Sequence, residues 1–94
     1  MRLYPDEKQV LDRIIENIDG EVYLFGSRVD DHAKGGDIDI LVYTKQNPWE
    51  LSRKISREFF LALESKLDAI VFDKDHLTKD QKIFVDSLQL ERLK

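Results

Sequence analysis

The stretches Leu24-Phe25-Gly26-Ser27-Arg28 and Gly36-Asp37-Ile38-Asp39-Ile40 contain the residues that decide the fold. The first stretch ends an apolar run that predicts a short strand over residues 21–25, terminated by its Gly-Ser pair. The second opens the clearest predicted strand, residues 37–43, in which apolar and acidic residues alternate. Because successive side chains point to opposite faces of a strand, we expect Asp37 and Asp39 to project from the same face.

Two carboxylates so close together repel each other unless a positive charge lies between them. A divalent cation such as Mg²⁺ fits, because it takes a few carboxylate oxygens and completes its shell with water and phosphate. Gly26 and Ser27 suit a polyphosphate, since glycine permits close backbone approach and a serine at a helix start offers a hydroxyl and free N–H groups. If the first two strands are neighbours, both features face one site suited to metal-assisted phosphoryl transfer.

A third acid, Asp68, lies within the apolar run of residues 67–72, which predicts a third strand. An isolated acid in an apolar strand is costly unless it is paired or bound to a metal. Beside the second strand, Asp68 would complete a set of three carboxylates and help to deprotonate an acceptor hydroxyl. The alternative is structural, with Asp68 paired to a lysine such as Lys66 at the strand edge.

Helical patterns alternate with the strands. The predicted helical segments are 6–18 with Asp6 as N-cap, a short turn at 28–32, 47–65 with Asn47 as N-cap and Pro48 first, and 78–90. The last residues of the chain have a second interpretation as a strand. A Lys34-Gly35-Gly36 turn indicates that the second strand enters beside the first. The order predicts an α/β (α+β) fold, a small mixed sheet with helices on at least one face.

The overall composition excludes several classes of protein. The chain of 94 residues is 41% hydrophobic and 36% charged, which predicts one globular domain over residues 1–94. No apolar run approaches the roughly 20 residues that span a bilayer. The chain has no cysteine, so it has no disulfide and no thiolate metal site, and we expect a cytoplasmic protein. A net charge of −4 argues against direct nucleic-acid binding, which needs a clustered basic face.

The combination of Gly26-Ser27, a gap of nine residues, Asp37-Ile38-Asp39 and a later Asp68 resembles the motif of the DNA polymerase β nucleotidyltransferase superfamily. Chain length and the two opening stretches most resemble the minimal nucleotidyltransferases (MNT or MntA type). The resemblance extends from the first predicted helix to about Phe72. It implies a polymerase-β-like nucleotidyltransferase fold that moves AMP or another NMP from ATP or another NTP to a hydroxyl.

The resemblance also implies roles for particular residues. Gly26 and Ser27 would bind the β- and γ-phosphates, and Arg28 matches a frequent arginine that helps to hold phosphate. Asp37 and Asp39 would bind two Mg²⁺ ions, and Asp68 would match the third acidic position. The alternative for Arg28 is a partly solvated ion pair.

MNT proteins are often encoded beside a HEPN-domain protein, and in several such pairs the HEPN protein is an RNase toxin. The MNT partner is then an antitoxin that transfers AMP to a toxin tyrosine. The resemblance therefore implies a protein partner, a tyrosine acceptor and a homo- or hetero-oligomer. Two alternatives remain open: a catalytically silent module that neutralises a toxin by binding it, and transfer to a small molecule. The shortness of the chain disfavours the latter.

Overall fold

The computed structural model describes residues Met1–Lys94 and contains one four-stranded sheet. Its strands are β1 Glu21–Phe25, β2 Ile38–Tyr43, β3 Leu67–Phe72 and β4 Glu91–Arg92. They lie in the order β3-β2-β1-β4, with β1 antiparallel to β2 and β4, and β2 parallel to β3. The predicted mixed sheet is therefore confirmed, and β1 and β2 are neighbours.

Three α-helices accompany the sheet. They are α1 Pro5–Glu16, α2 Pro48–Leu63 and α3 Lys79–Asp86, with short 3-10 turns at Gly26–Val29 and Lys74–His76. The N-cap predicted for α2 is confirmed, because Asn47 Oδ1 accepts hydrogen bonds from the backbone N–H groups of Trp49 and Glu50. The end of the chain combines both sequence interpretations, a short helix followed by the two-residue strand β4. The turn predicted at 28–32 begins earlier, at Gly26.

The start of α1 differs from the prediction. Tyr4, not Asp6, is the N-cap, and Pro5 occupies the first helical turn, where its missing N–H is harmless. The Glu7 carboxylate reaches back to accept the Tyr4 N–H at 2.9 Å. The helix also ends two residues before the predicted boundary, although Ile18 remains in the core at 3% exposure.

The sheet separates two apolar layers of unequal size. α1 and α2 cover one face, where 16 buried residues form the main core. Alternate residues of β2, Ile38, Ile40 and Val42, point into this layer, as the period-two pattern predicts. The remaining β2 side chains, including Asp39, therefore point to the other face.

That second face carries a much smaller apolar cluster built around Phe25, Leu41 and Tyr43. α3 lies over it and contributes the partly buried Val85, but no residue of α3 is buried. The second layer is therefore thin, and side chains at its margin stay accessible. None of the three helices has the length and apolar character needed to cross a membrane.

Candidate functional site

The acidic residues singled out in the sequence meet at the start of the parallel pair β2 and β3. Asp39 and Asp68 are register partners on these neighbouring strands, so both project to the face that α3 covers. Asp37 directly precedes β2. The side chains of Asp37 and Asp68 are 56% and 49% exposed, whereas Asp39 is half-buried between them. The topology thus brings all of these acids to one accessible edge.

The electrostatics of this group centre on Asp39. Partial burial first, and then the charges of Asp68 and Asp37, raise the pKa of the Asp39 carboxyl, and only Lys66 opposes them. Lys66 Nζ lies 3.7 Å from Asp68 Oδ2 and 4.0 Å from Asp37 Oδ2. The ion pair foreseen as the structural alternative for Asp68 therefore exists, but it is long and exposed. A strong excess of negative charge remains.

The carboxylates fit a divalent cation by chemistry and charge. They are hard oxygen donors, and their mutual repulsion, seen in the raised pKa of Asp39, is the condition that a bound cation relieves. The side chains do not form a ready-made cluster of three or more ligands. Phosphate oxygens and water would therefore supply much of the ligand shell, as is usual for Mg²⁺.

The Gly-Ser corner touches this acidic group directly. Gly26 has a φ of 79°, and a Cβ added there would lie 2.6 Å from Asp39 Oδ2. The backbone at Gly26 thus packs against the carboxylate, and a side chain there would force that carboxylate to move. Ser27 is exposed, and its hydroxyl makes no hydrogen bond within the chain. The hydroxyl is therefore free to donate to a phosphate beside Asp39.

We expect Gly26→Ala to damage the site more than Gly35→Ala. Both glycines have positive φ, 79° and 65°, so each alanine should cost about 1 kcal/mol of backbone strain. A Cβ at Gly35 meets nothing within 4 Å, whereas the one at Gly26 displaces Asp39. Thermal melting should show a similar loss of stability in both variants. A transfer assay should show loss of nucleotidyl transfer for Gly26→Ala alone. Equal loss of transfer in both variants would contradict this expectation.

Arg28 is placed differently from the phosphate ligand that the resemblance implies. It is buried, at 7% exposure, and donates to Glu7 Oε1 at 2.7 Å and Glu7 Oε2 at 2.9 Å. It also donates to the carbonyls of Gly36 at 3.0 Å and Arg2 at 2.8 Å. Its donors are thus directed into the protein. This placement argues against a phosphate contact and favours a role in holding Gly36 beside Ser27.

Arg2 is a second positioning residue, which the sequence analysis missed. Its guanidinium donates to the backbone carbonyls of Ser27 at 3.0 Å, Asp30 at 2.7 Å and Gly35 at 2.9 Å. These contacts join the two ends of the loop between β1 and β2. No sequence pattern indicates Arg2.

The burial of Glu7, in contrast, could have been detected in the sequence, because Glu7 shares the helical spacing of the buried Val10 and Leu11.

One comparison with known proteins identifies the family of the chain. A family model described as a nucleotidyltransferase domain matches residues 7–90, which is most of the chain. The match includes the corner at Gly26 and all of the acids at the β2–β3 edge. A search of the curated proteins found no match.

Proposed function

Because the chain belongs to the nucleotidyltransferase domain family, we propose that it transfers AMP or another NMP from an NTP to a hydroxyl of a partner protein. The single observation that carries this proposal is the meeting of Asp37, Asp39 and Asp68 beside Gly26 and Ser27 at one edge of the sheet. General nucleotidyl transfer follows from the family. The acceptor, the metal and the roles of the individual residues are our proposal, as is the assignment of the whole chain to one such domain.

In the proposed reaction the corner holds the triphosphate. Ser27 Oγ donates to a phosphate oxygen. Gly26, which has no side chain, lets the backbone approach the phosphates closely. Asp37 and Asp39, with Asp68, would hold Mg²⁺, which when bound offsets triphosphate charge and makes the acceptor hydroxyl more acidic. The acceptor oxygen then bonds to the α-phosphorus, the bond to the β-phosphate oxygen breaks, and pyrophosphate leaves.

In this proposal Asp68 receives the proton of the acceptor hydroxyl. It lies on β3, the edge strand of the sheet, and its side chain is half exposed. A hydroxyl approaching from outside this edge reaches Asp68 before it reaches the more enclosed Asp39. The proton can pass from Asp68 to solvent after transfer, which returns the carboxylate to its starting state.

A protein acceptor is supported by the openness of this edge. The exposed carboxylates of Asp37 and Asp68 suit a hydroxyl that a large partner presents, rather than a small molecule enclosed in a pocket. The resemblance to minimal nucleotidyltransferases suggests a tyrosine of a HEPN-domain toxin as that acceptor. The chain would then act as the antitoxin of the pair.

The test uses the purified chain, the product of the adjacent gene and ATP labelled at either the α- or the γ-phosphorus, with Mg²⁺. We expect the partner to gain label from α-labelled ATP only, and none with the Asp37→Asn/Asp39→Asn double variant. Equal labelling by that variant would overturn the enzymatic proposal. Full neutralisation of the partner by the double variant, without labelling, would instead identify a silent binding module.

A further inference from the structure

An exposed apolar pair on α3 borders the candidate site. Ile83 is 60% exposed and Phe84 is 36% exposed, although both are large apolar side chains. The ring of Phe84 packs edge-to-face on that of Phe25, with centroids 6.1 Å apart and an interplanar angle of 88°. Phe25 directly precedes Gly26, so Phe84 is linked through Phe25 to the Gly-Ser corner.

Phe25 connects the apolar pair to the carboxylates. Phe25 and Asp39 are register partners across β1 and β2, so their side chains are close neighbours on the face that α3 covers. The same face therefore carries, in a row, Asp68, Asp39, Phe25 and the partly exposed ring of Phe84. Carboxylates suited to the cation of a metal–triphosphate complex stand at one end of this row, and an accessible aromatic ring stands at the other.

We propose that Phe84 is the stacking platform for the nucleobase of the bound NTP. The inference rests on the proposed function, because the triphosphate at Gly26 and Asp39 is what directs the base towards α3. Base stacking on an aromatic ring is favourable for every base, since each has a π face. Phe84 and Ile83 offer no hydrogen-bonding side-chain atoms to read a base edge. The site accordingly accepts purine and pyrimidine NTPs, with the larger purines bound somewhat more tightly.

The test compares two ligands that share the phosphate chain and differ in the base. Binding of Mg²⁺–tripolyphosphate and of a Mg²⁺–ATP analogue with a non-hydrolysable α,β linkage is measured by calorimetry. For Phe84→Ala we expect affinity for the ATP analogue to fall about tenfold, within the range for loss of one stacked base, with tripolyphosphate affinity unchanged. Phe84→Trp should restore analogue binding.

Two controls separate stacking from folding. Phe84→Leu keeps an apolar side chain over Phe25 but removes the ring, so it should retain the melting temperature and still lose analogue affinity. Phe60→Ala removes a 54% exposed aromatic ring from α2, on the opposite side of the sheet, and should leave both ligands unaffected.

The outcomes distinguish this inference from the proposed function. If the unaltered protein binds neither ligand, the proposed function itself fails. If it binds both and Phe84→Leu changes neither affinity, or lowers both equally, the stacking platform is wrong while the phosphate site stands. If Phe84→Leu leaves nucleotide binding intact but abolishes association with the partner protein, the apolar pair is a protein interface instead.

Discussion

Asp39→Asn is expected to lower the rate of nucleotidyl transfer by about a thousandfold or more without destabilising the fold. Loss of a cation ligand at the reacting phosphate removes several kcal/mol of transition-state stabilisation, and about 1.4 kcal/mol corresponds to each tenfold. Asp39 is the most enclosed acid of the group, so no neighbour can take its place. The measurement is initial rate of label transfer from α-labelled ATP at saturating Mg²⁺.

Although Asp39→Asn should lower the transfer rate, it should raise the stability of the folded protein. The pKa of Asp39 is raised in the folded protein by burial and by its acidic neighbours, so its charged form opposes folding. That unfavourable contribution exists at neutral pH, declines as the pH falls below the raised pKa, and is gone below the unfolded-state pKa. Asp39→Asn should therefore melt slightly higher than the unaltered protein at pH 7 without divalent cations, by a margin that shrinks in acid.

A matched control and a metal titration complete this experiment. Glu58→Gln neutralises an exposed carboxylate on α2 and should change neither transfer nor melting temperature. Added Mn²⁺ should raise the melting temperature of the unaltered protein but not that of Asp39→Asn, because ligand binding stabilises only the state that binds. If Asp39→Asn transfers label at more than a tenth of the normal rate, the assignment of Asp39 as a cation ligand is wrong.

Glu7→Gln is expected to produce the largest loss of stability, about 3 kcal/mol, because it leaves the buried Arg28 without its counter-charge. The side chains of this pair are only 10% and 9% exposed, and the shorter contact is 2.7 Å. Loosening Arg28 also releases the carbonyl of Gly36, so the loop beside Ser27 should shift. We expect transfer to fall about tenfold at temperatures where the variant is still folded. Urea unfolding of the variant and of the unaltered protein measures the difference in their free energies of unfolding.

The pH dependence of this pair follows from the pKa of Glu7. Burial alone would raise that pKa, but hydrogen bonds from Arg28 and from the backbone of Tyr4 outweigh it and lower the pKa. A lowered folded-state pKa contributes stability above the unfolded-state value and loses it as the pH falls through the folded-state value. The difference between Glu7→Gln and the unaltered protein should therefore be full at pH 7 and shrink in acid.

The same helix offers the control for Glu7→Gln. Lys8 and Asp12 form an exposed ion pair at 2.9 Å, with both side chains more than half exposed. Asp12→Asn should cost no more than about 0.5 kcal/mol, since exposed pairs contribute little. Replacing both buried partners, as Glu7→Leu/Arg28→Met, should recover part of the stability that Glu7→Gln loses. A Glu7→Gln variant as stable as Asp12→Asn would show that the buried pair contributes nothing.

The strands could be predicted well because their pattern is local. β1 and β3 have the predicted bounds, and β2 lacks only Asp37 of its predicted residues. The prediction worked because the alternation of apolar and polar residues and the turns at glycine are local features of the sequence. The start of α1 was predicted less well. Its cap depends on Glu7 turning back to Tyr4, and the same Glu7 is held by Arg28 from a distant turn. Such a contact cannot be seen in a short window of sequence.

The sequence by itself determined that Asp39 points away from the apolar residues of its strand and where the chain must turn, because both follow from backbone geometry and residue type. Only the tertiary structure decided that β2 and β3 pair in parallel with Asp39 beside Asp68. The inward direction of the Arg28 side chain and the contact of Arg2 with the loop between β1 and β2 also depend on the tertiary structure alone. The physical reason is that these contacts join residues far apart in the chain, whose meeting depends on strand order and packing rather than on local pattern.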